Sequence, residues 1–478
     1  MLKSFKFLKP RDGYLDKLKA FQDTEPVKVV TGIRRCGKSS LLKLMQQHML
    51  ENGIQENQII AMNFESMEYR EMDFMAFYRH VKERVLPDKK MYMFFDELQR
   101  LEQWEDAVNS FRVDFDCDIY ITGSNAYLLS SEYATYLGGR YVEIKMLPLS
   151  FKEFVEFHGY EIRDGHSPEG KLKKLARDAN GDVVPWEELF EAFLHYGGMP
   201  GIADVGLAQD KVLALLDGVY STVVVRDILE REKRRGQRQI SDPMLLRKII
   251  LFLADNIGNS TSLNSVANTL MSEKMLDGRG GHGKPATQTV AAYVGALLES
   301  YLFYEIKRFD IKGKAELKTL GKYYIVDNGL RNYLLGYRDV DTGHIIENIV
   351  YLELLRRGYD VAIGKIGNKE IDFIQILDNK ENDDIEFDLK DYNTWVEICN
   401  GIYGDDNNNN NNDNNTISNN DNKNKDNLSK GAIAGITISS IIVASGIAYF
   451  IYKMISKNKG EISNKNNQNI IKERSENI

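Results

Sequence analysis

The sequence predicts an α/β protein built first on a parallel sheet with helices on both faces. Three observations predict it. Five short apolar runs, Val27–Gly32, Ile59–Glu65, Met91–Glu97, Asp118–Ser124 and Tyr141–Pro148, alternate with amphipathic stretches such as Ser39–Leu50 and Trp104–Val113 over residues 1–150. A glycine turn, "GIRRCGKS", joins the first run to a helix-like segment. The third run, "MYMFF", ends on two acids. Apolar runs separated by helices suit a sheet buried on both faces, because parallel neighbours need crossover connections.

The glycine turn comes first. Gly32, Ile33, Arg34, Arg35, Cys36, Gly37, Lys38 and Ser39 fit the phosphate-loop (P-loop) pattern G-x-x-x-x-G-K-[ST], and Ser40 follows. Glycines let the backbone wrap a phosphate without side-chain clashes. Successive N–H groups then turn inward, and the following helix presents its positive end. In that arrangement Lys38 reaches the β- and γ-phosphates of ATP and Ser39 ligates Mg²⁺. "VKVV" before the turn and "SSLLKLMQQHML" after it supply the strand–turn–helix context that the pattern requires.

A P-loop needs an acid on a neighbouring strand. "MYMFFDELQRL" supplies Asp96, expected in the Mg²⁺ shell, and Glu97, expected to polarise the attacking water as general base. "CDIYITGSNAYLL" then ends a strand at Gly123-Ser124-Asn125. Asn125 either senses the γ-phosphate and places the water, or caps the helix that follows. Arg140, in "YLGGRYVEIK", is a candidate to neutralise transition-state charge, from within the chain or from a neighbouring subunit of a homo-oligomer. Arg34 and Arg35 are further candidates.

Residues 151–240 read as a mostly helical lid or linker, interrupted by the turn "HYGGMPGI" at 195–202. Residues 241–339 read as a winged-helix-like domain. Three helix-like segments, "MLLRKIILFLADNIG", "SLNSVANTL" and "ATQTVAAYVGALLESYLF", precede a hairpin of "YEIKRFD" and "KYYIVDNG". The hairpin residues Lys307, Arg308, Lys312, Lys314, Lys318 and Lys322 suit contacts with DNA phosphates; plain packing is the other reading. "EREKRRGQRQ", 230–239, is a second basic patch or a solvated helix end. Residues 340–400 form a small α/β piece with a helix at Gly343–Arg357. Glu347 on that helix, Asp372 at a strand and Asp388-x-Lys390 follow a metal-nuclease pattern, in which carboxylates bind metal and the lysine positions the nucleophile.

"TGIRRCGKSSLL", "FFDELQRLEQWE", "YITGSNAYLLSSE", "LGGRYVEIKMLPLSFKEF", "HYGGMPGI", "VVVRDILER" and "IVDNGLRNYLLG" together carry a family resemblance. Over about residues 15–375 the chain resembles a bacterial and archaeal ATPase family with an AAA-like N-terminal domain and a C-terminal domain of unknown function. The resemblance implies an AAA-like core, ATP at Lys38 and Ser39, acidic roles for Asp96 and Glu97, and a sensor role for Asn125. The restriction-endonuclease-like module is expected to be cut short and degenerate, because asparagine-rich sequence begins at Asn407, soon after Lys390.

After Gly404 the composition turns asparagine-rich with almost no apolar surface to bury, and residues 401–430 read as a disordered linker. Gly431–Tyr452 carries no charge; as a helix it would span about 33 Å, against a hydrocarbon core of roughly 30 Å. A transmembrane helix is therefore expected over Gly431–Ile455, with a polar tail at 456–478. Gly431 and Gly435 form G-x-x-x-G, which permits helix–helix contact. The lysines after the span slightly outnumber those before it, which favours a cytosolic tail; the need for ATP favours a cytosolic body and is given more weight. No signal-peptide pattern opens the sequence. A net charge of −8 argues against a globally basic nucleic-acid binder. Cys36, Cys117 and Cys399 lie far apart, without metal spacing, as suits a reducing compartment. The combined reading is a membrane-anchored, Mg²⁺-dependent ATPase. An ATP-switched DNA-binding regulator and a metal-dependent nuclease are the alternatives.

Overall fold

The computed structural model describes residues 8–126, 139–166, 172–229, 240, 242–272, 287–310, 315–366 and 369–375. All five apolar runs form strands: β1 (Val27–Thr31), β2 (Ile59–Asn63), β3 (Met91–Asp96), β4 (Cys117–Gly123) and β5 (Tyr141–Lys145). Every pairing among them is parallel, in the order β2-β3-β4-β1-β5. The helices are α1 (Asp12–Ala20), α2 (Lys38–Glu51), α3 (Phe74–Lys82) and α4 (Trp104–Asp114). Alternate strand residues serve the two faces. Val27, Val29, Met93, Phe95, Ile119 and Ile121 pack with Phe77, Trp104 and Phe111 of α3 and α4. Val30, Tyr92, Phe94 and Tyr120 pack with Leu15 and Leu18 of α1 and with Leu41 and Met45 of α2. Burial on both faces is why these strands read as continuous apolar runs.

Lys28 interrupts the first run and is fully buried. Its ammonium pairs with Asp118 of β4, which also accepts from the Tyr120 hydroxyl and from Asp23 N, each at 2.8 Å. A buried charge persists only when paired and hydrogen-bonded in this way.

The region 151–240 departs from its helical expectation. After α5 (Phe151–Phe157) the chain forms three antiparallel strands, β6 (Tyr160–His166), β7 (Leu172–Asp178) and β8 (Val183–Pro185). Their dense charges mask a short two-residue alternation that has no long apolar run to announce it. Helices return with α6 (Trp186–Tyr196) and α7 (Gln209–Thr222), and α7 continues as a π-helical segment, Val223–Leu229. The basic run at 230–239 lies outside the described residues.

The three predicted helices of the next region are α8 (Pro243–Asp255), α9 (Leu263–Ser272) and α10 (Thr287–Glu299), with strand β9 (Ser260–Thr261) before α9. The predicted hairpin is β10 (Phe303–Asp310) with β11 (Ala315–Ile325), followed by α11 (Asn328–Leu335), α12 (Thr342–Arg357), β12 (Val361–Ile366) and β13 (Lys369–Gln375). These strands form one sheet in the order β13-β12-β10-β11-β9. The boundary expected at 339/340 is thus crossed by a continuous sheet, through the parallel pair β10–β12.

Lys322, expected to touch DNA phosphates, is 3% exposed and its ammonium lies 3.1 Å from Glu347. Glu347 also accepts from the Tyr324 hydroxyl at 2.6 Å. The helix glutamate of the nuclease pattern is therefore held in an internal ion pair. Asp372 lies on β13; Asp388, Lys390, Lys312 and Lys314 lie outside the described residues, as do the asparagine tract and Gly431–Ile455. Among the described residues no helix is long and apolar enough to cross a membrane.

The two halves interlock at two glycine-bearing turns. Asp327 caps α11 through Leu330 N at 3.1 Å and accepts from Gly198 N at 2.6 Å. The approach is so close that a Cβ on Gly329 would lie 1.8 Å from the carbonyl oxygen of Tyr196. Asn332 adds bonds to the carbonyls of Leu194 (2.9 Å) and His195 (3.0 Å).

Candidate functional site

Parallel strands deliver their carboxyl ends to one edge, and a crevice for ligands forms there. The P-loop leaves β1 at this edge and enters α2 at Lys38. Gly32 has φ 141°, and a Cβ there would lie 2.1 Å from the Met146 carbonyl oxygen, so the tight exit from β1 requires glycine. Asp96 ends β3, and Asn125 follows the end of β4, the strand between β3 and β1.

Lys38, Ser39, Asp96 and Glu97 meet here. Lys38 Nζ donates to the carbonyls of Gly32 (2.8 Å) and Ile33 (3.0 Å) and lies 4.0 Å from Glu97 Oε1. Ser39 Oγ donates to Asp96 Oδ1 at 3.0 Å. Asp96 also accepts from Thr122 Oγ1 and, at 2.8 Å, from Asn63 Nδ2. Burial raises the Asp96 pKa above the ordinary carboxylate value, against the hydrogen bonds of Thr122 and Ser39. Glu97 takes a left-handed backbone, φ 56°, and its amide donates to Thr122 Oγ1 at 2.9 Å. Its Oε2 accepts from Gln99 (2.7 Å) and Ser124 (3.0 Å). Asn125, next along the chain from Ser124, is buried.

Arg34 is the most heavily engaged P-loop side chain. Its Nε lies 3.1 Å from Oδ2 of Asp227, its Nη1 2.7 Å from Glu65 and its Nη2 3.8 Å from Glu97. Burial opposes the charge, but the hydrogen bond and charge of Asp227, with Glu97 and Glu65, hold the guanidinium above its ordinary pKa. Arg35, at φ 66°, is exposed. Cys36 is buried, and its carbonyl accepts from Arg11 Nη1 at 3.0 Å. Ser40 lies in the first turn of α2, partly buried.

Arg140 is not brought to this group. Its carbonyl pairs with Val27 N at the amino ends of β5 and β1, and its 65%-exposed side chain lies 4.0 Å from Glu25. The length of β1, about 16 Å at 3.3 Å per residue, separates that edge from the P-loop. Within one chain, Arg34 rather than Arg140 is the arginine brought beside Glu97.

Sequence reasoning missed Arg11, Asn63, Glu65, Thr122, Ser124, Gln99 and Asp227. Asn63, Thr122 and Ser124 were findable, since each lies at or within one residue of the carboxyl end of a strand at the same sheet edge. Asp227 sits in "VVVRDILER", a stretch noted only for its resemblance. No spacing rule connects Arg11 or Asp227 to the loop.

The donor set suits Mg²⁺ with a nucleotide. This ion binds through one or two protein oxygens together with phosphates and water, and Ser39 and Asp96 offer such a pair 3.0 Å apart. Lys38, at the start of α2, is a cation of the kind that would complement a phosphate.

An AAA domain family matches residues 24–155, and a domain of unknown function (DUF8612) matches 187–341. An uncharacterized protein of Haemophilus influenzae is 40% identical over 368 residues, covering 76% of this chain and 83% of that one. An uncharacterized protein of Methanocaldococcus jannaschii is 28% identical over 380 residues, covering 78% and 77%. Among solved structures, a Walker-type ATPase of Pyrococcus abyssi aligns over 69% of this chain and 99% of its own, with 18% identity and a TM-score of 0.45. The chain belongs to the family of the Haemophilus influenzae protein, and its AAA-like core, residues 24–155, carries the loop Gly32–Ser39.

Proposed function

We propose that the chain is a Mg²⁺-dependent ATP hydrolase. The observation that carries this reading is the Ser39–Asp96 contact at 3.0 Å beside Lys38 and Glu97, all at the carboxyl edge of one parallel sheet. Lys38 binds the β- and γ-phosphates. Ser39 and Asp96 hold Mg²⁺, which when bound neutralises charge on the phosphate oxygens. Glu97, fixed by Gln99 and Ser124, accepts a proton from the attacking water. Asn125 orients that water or the γ-phosphate. The segment Gly431–Ile455 anchors the chain in a membrane with this core on the cytosolic side, a proposal supported by the length of its uncharged stretch Gly431–Tyr452.

ATP binding and turnover by the full chain test the reading. Lys38→Ala is expected to lose ATP binding. Glu97→Gln is expected to keep binding and to lose turnover by about 100-fold or more. Equal turnover by wild type and Glu97→Gln refutes the assignment of the base.

A further inference from the structure

Arg34 stands in the phosphate loop, yet its closest carboxylate partners come from elsewhere in the fold. Asp227, 193 positions away, sits 3.1 Å (Oδ2) and 3.3 Å (Oδ1) from Arg34 Nε. Both side chains are nearly buried, 11% and 8% exposed. Glu65 and Glu97 take the two terminal nitrogens. The guanidinium is thus shared among three carboxylates directly beside the lysine expected to meet phosphate. A γ-phosphate entering beside Lys38 brings a competing anion, and of the three carboxylates only Asp227 belongs to the helical region beyond the first sheet.

The backbone that carries Asp227 is itself unusual. Val223–Leu229 is π-helical, directly continuing α7. Such segments are less regular than α-helix and recur at functional sites. In turn, α7 leans on α11 of the C-terminal half: the Tyr333 hydroxyl donates to Asp217, and the rings of Tyr220 and Tyr333 lie 5.9 Å apart. A continuous chain of contacts therefore runs from the P-loop through Asp227 and α7 to α11.

We propose that Arg34 reads the γ-phosphate and that Asp227 is the positioning residue that holds it until the nucleotide takes it. ATP then releases Asp227 and the π-helical segment, whereas ADP, lacking the third phosphate, leaves the ion pair closed. The inference rests on the ATP reading above. It makes Asp227 a determinant of ATP-over-ADP preference and the link by which nucleotide state reaches the C-terminal half.

The test uses the full chain with Mg²⁺, measuring affinities for ATPγS and ADP in wild type, Asp227→Asn, Arg34→Ala and the double variant. Asp227→Asn removes the competing charge and nearly preserves shape. It is expected to tighten ATPγS by about tenfold, an ordinary size for coupling between sites, with ADP changed by less than about twofold. In the Arg34→Ala background the same substitution is expected to leave the preference unchanged. Equal effects on both nucleotides, or an effect that survives the loss of Arg34, overturns the inference. Hydrogen exchange of wild type supplies a readout that needs no variant. Amides of 223–229 are expected to exchange faster with ATPγS than with ADP, and equal protection overturns the link. Failure of wild type to bind ATPγS sinks the ATP reading and this inference together; normal binding with no Asp227 selectivity sinks only this one.

Discussion

Arg11 lies outside every motif, yet it is the side chain that ties the P-loop to the segment after β5. It is 4% exposed. Nη1 donates to the carbonyls of Cys36 (3.0 Å) and Leu147 (2.8 Å), and Nη2 to that of Pro148 (3.2 Å). Nε and Nη2 each meet the Glu153 carboxylate at 2.8 Å. Arg11→Ala removes all five bonds and leaves Glu153, 15% exposed, without its main cation. Breaking one partner of a buried pair costs about 3–5 kcal/mol, and that is the expected loss. Urea unfolding without nucleotide measures it. Because the Cys36 carbonyl loses its anchor, ATP affinity is expected to fall as well. Arg11→Lys keeps a charge but not the planar fork, so it recovers only part of the loss. Burial opposes the Glu153 charge, but Arg11 draws its pKa below the usual value. A depressed carboxylate stabilises the fold above its unfolded pKa and stops doing so as pH falls through the folded one. The cost of Arg11→Ala is therefore expected to be larger at pH 7 than at pH 3. A loss below about 1 kcal/mol at pH 7, or an unchanged ATP affinity, refutes the reasoning.

Three further outcomes follow from particular residues. Burial raises Glu105 on α4 from 4.5 to about 7, so its ionisation destabilises the fold as pH rises through that range; Glu105→Gln should add about 2–3 kcal/mol at pH 8 and nothing at pH 4, read from melting curves at both. Asp118→Ala strands the buried Lys28 charge and should cost about 3–5 kcal/mol in urea titrations, whereas Lys28→Met with Asp118→Leu should recover most of it. Removing residues 431–478 should move the chain from the membrane pellet to the supernatant without changing ATP turnover; a truncated chain that still pellets removes the anchor proposal.

Much of this architecture was legible because its signals are local. Strand β3 shows five apolar residues before Asp96 and Glu97, and the loop shows its glycines and lysine between a strand and a helix. Lys38, Ser39, Asp96 and Glu97 then meet because parallel strands bring their carboxyl ends to one edge, where Asn125 also lies after β4. Strands β6 to β8 were not legible, since their alternation is short and heavily charged. Within one chain, the distance of Arg140 from the site was not legible either. Motif order says that it precedes β5, but not that the amino end of a parallel strand faces away from the site.

By itself, the sequence determined the class of fold, the phosphate loop and the acids opposite it, because periodicity and turn chemistry act over a few residues. Only the tertiary structure decided which charges share the loop. Asp227 and Arg11 reach it across 193 and 25 positions. Contacts of that kind are set by how helices and strands pack, and no spacing along the chain encodes them.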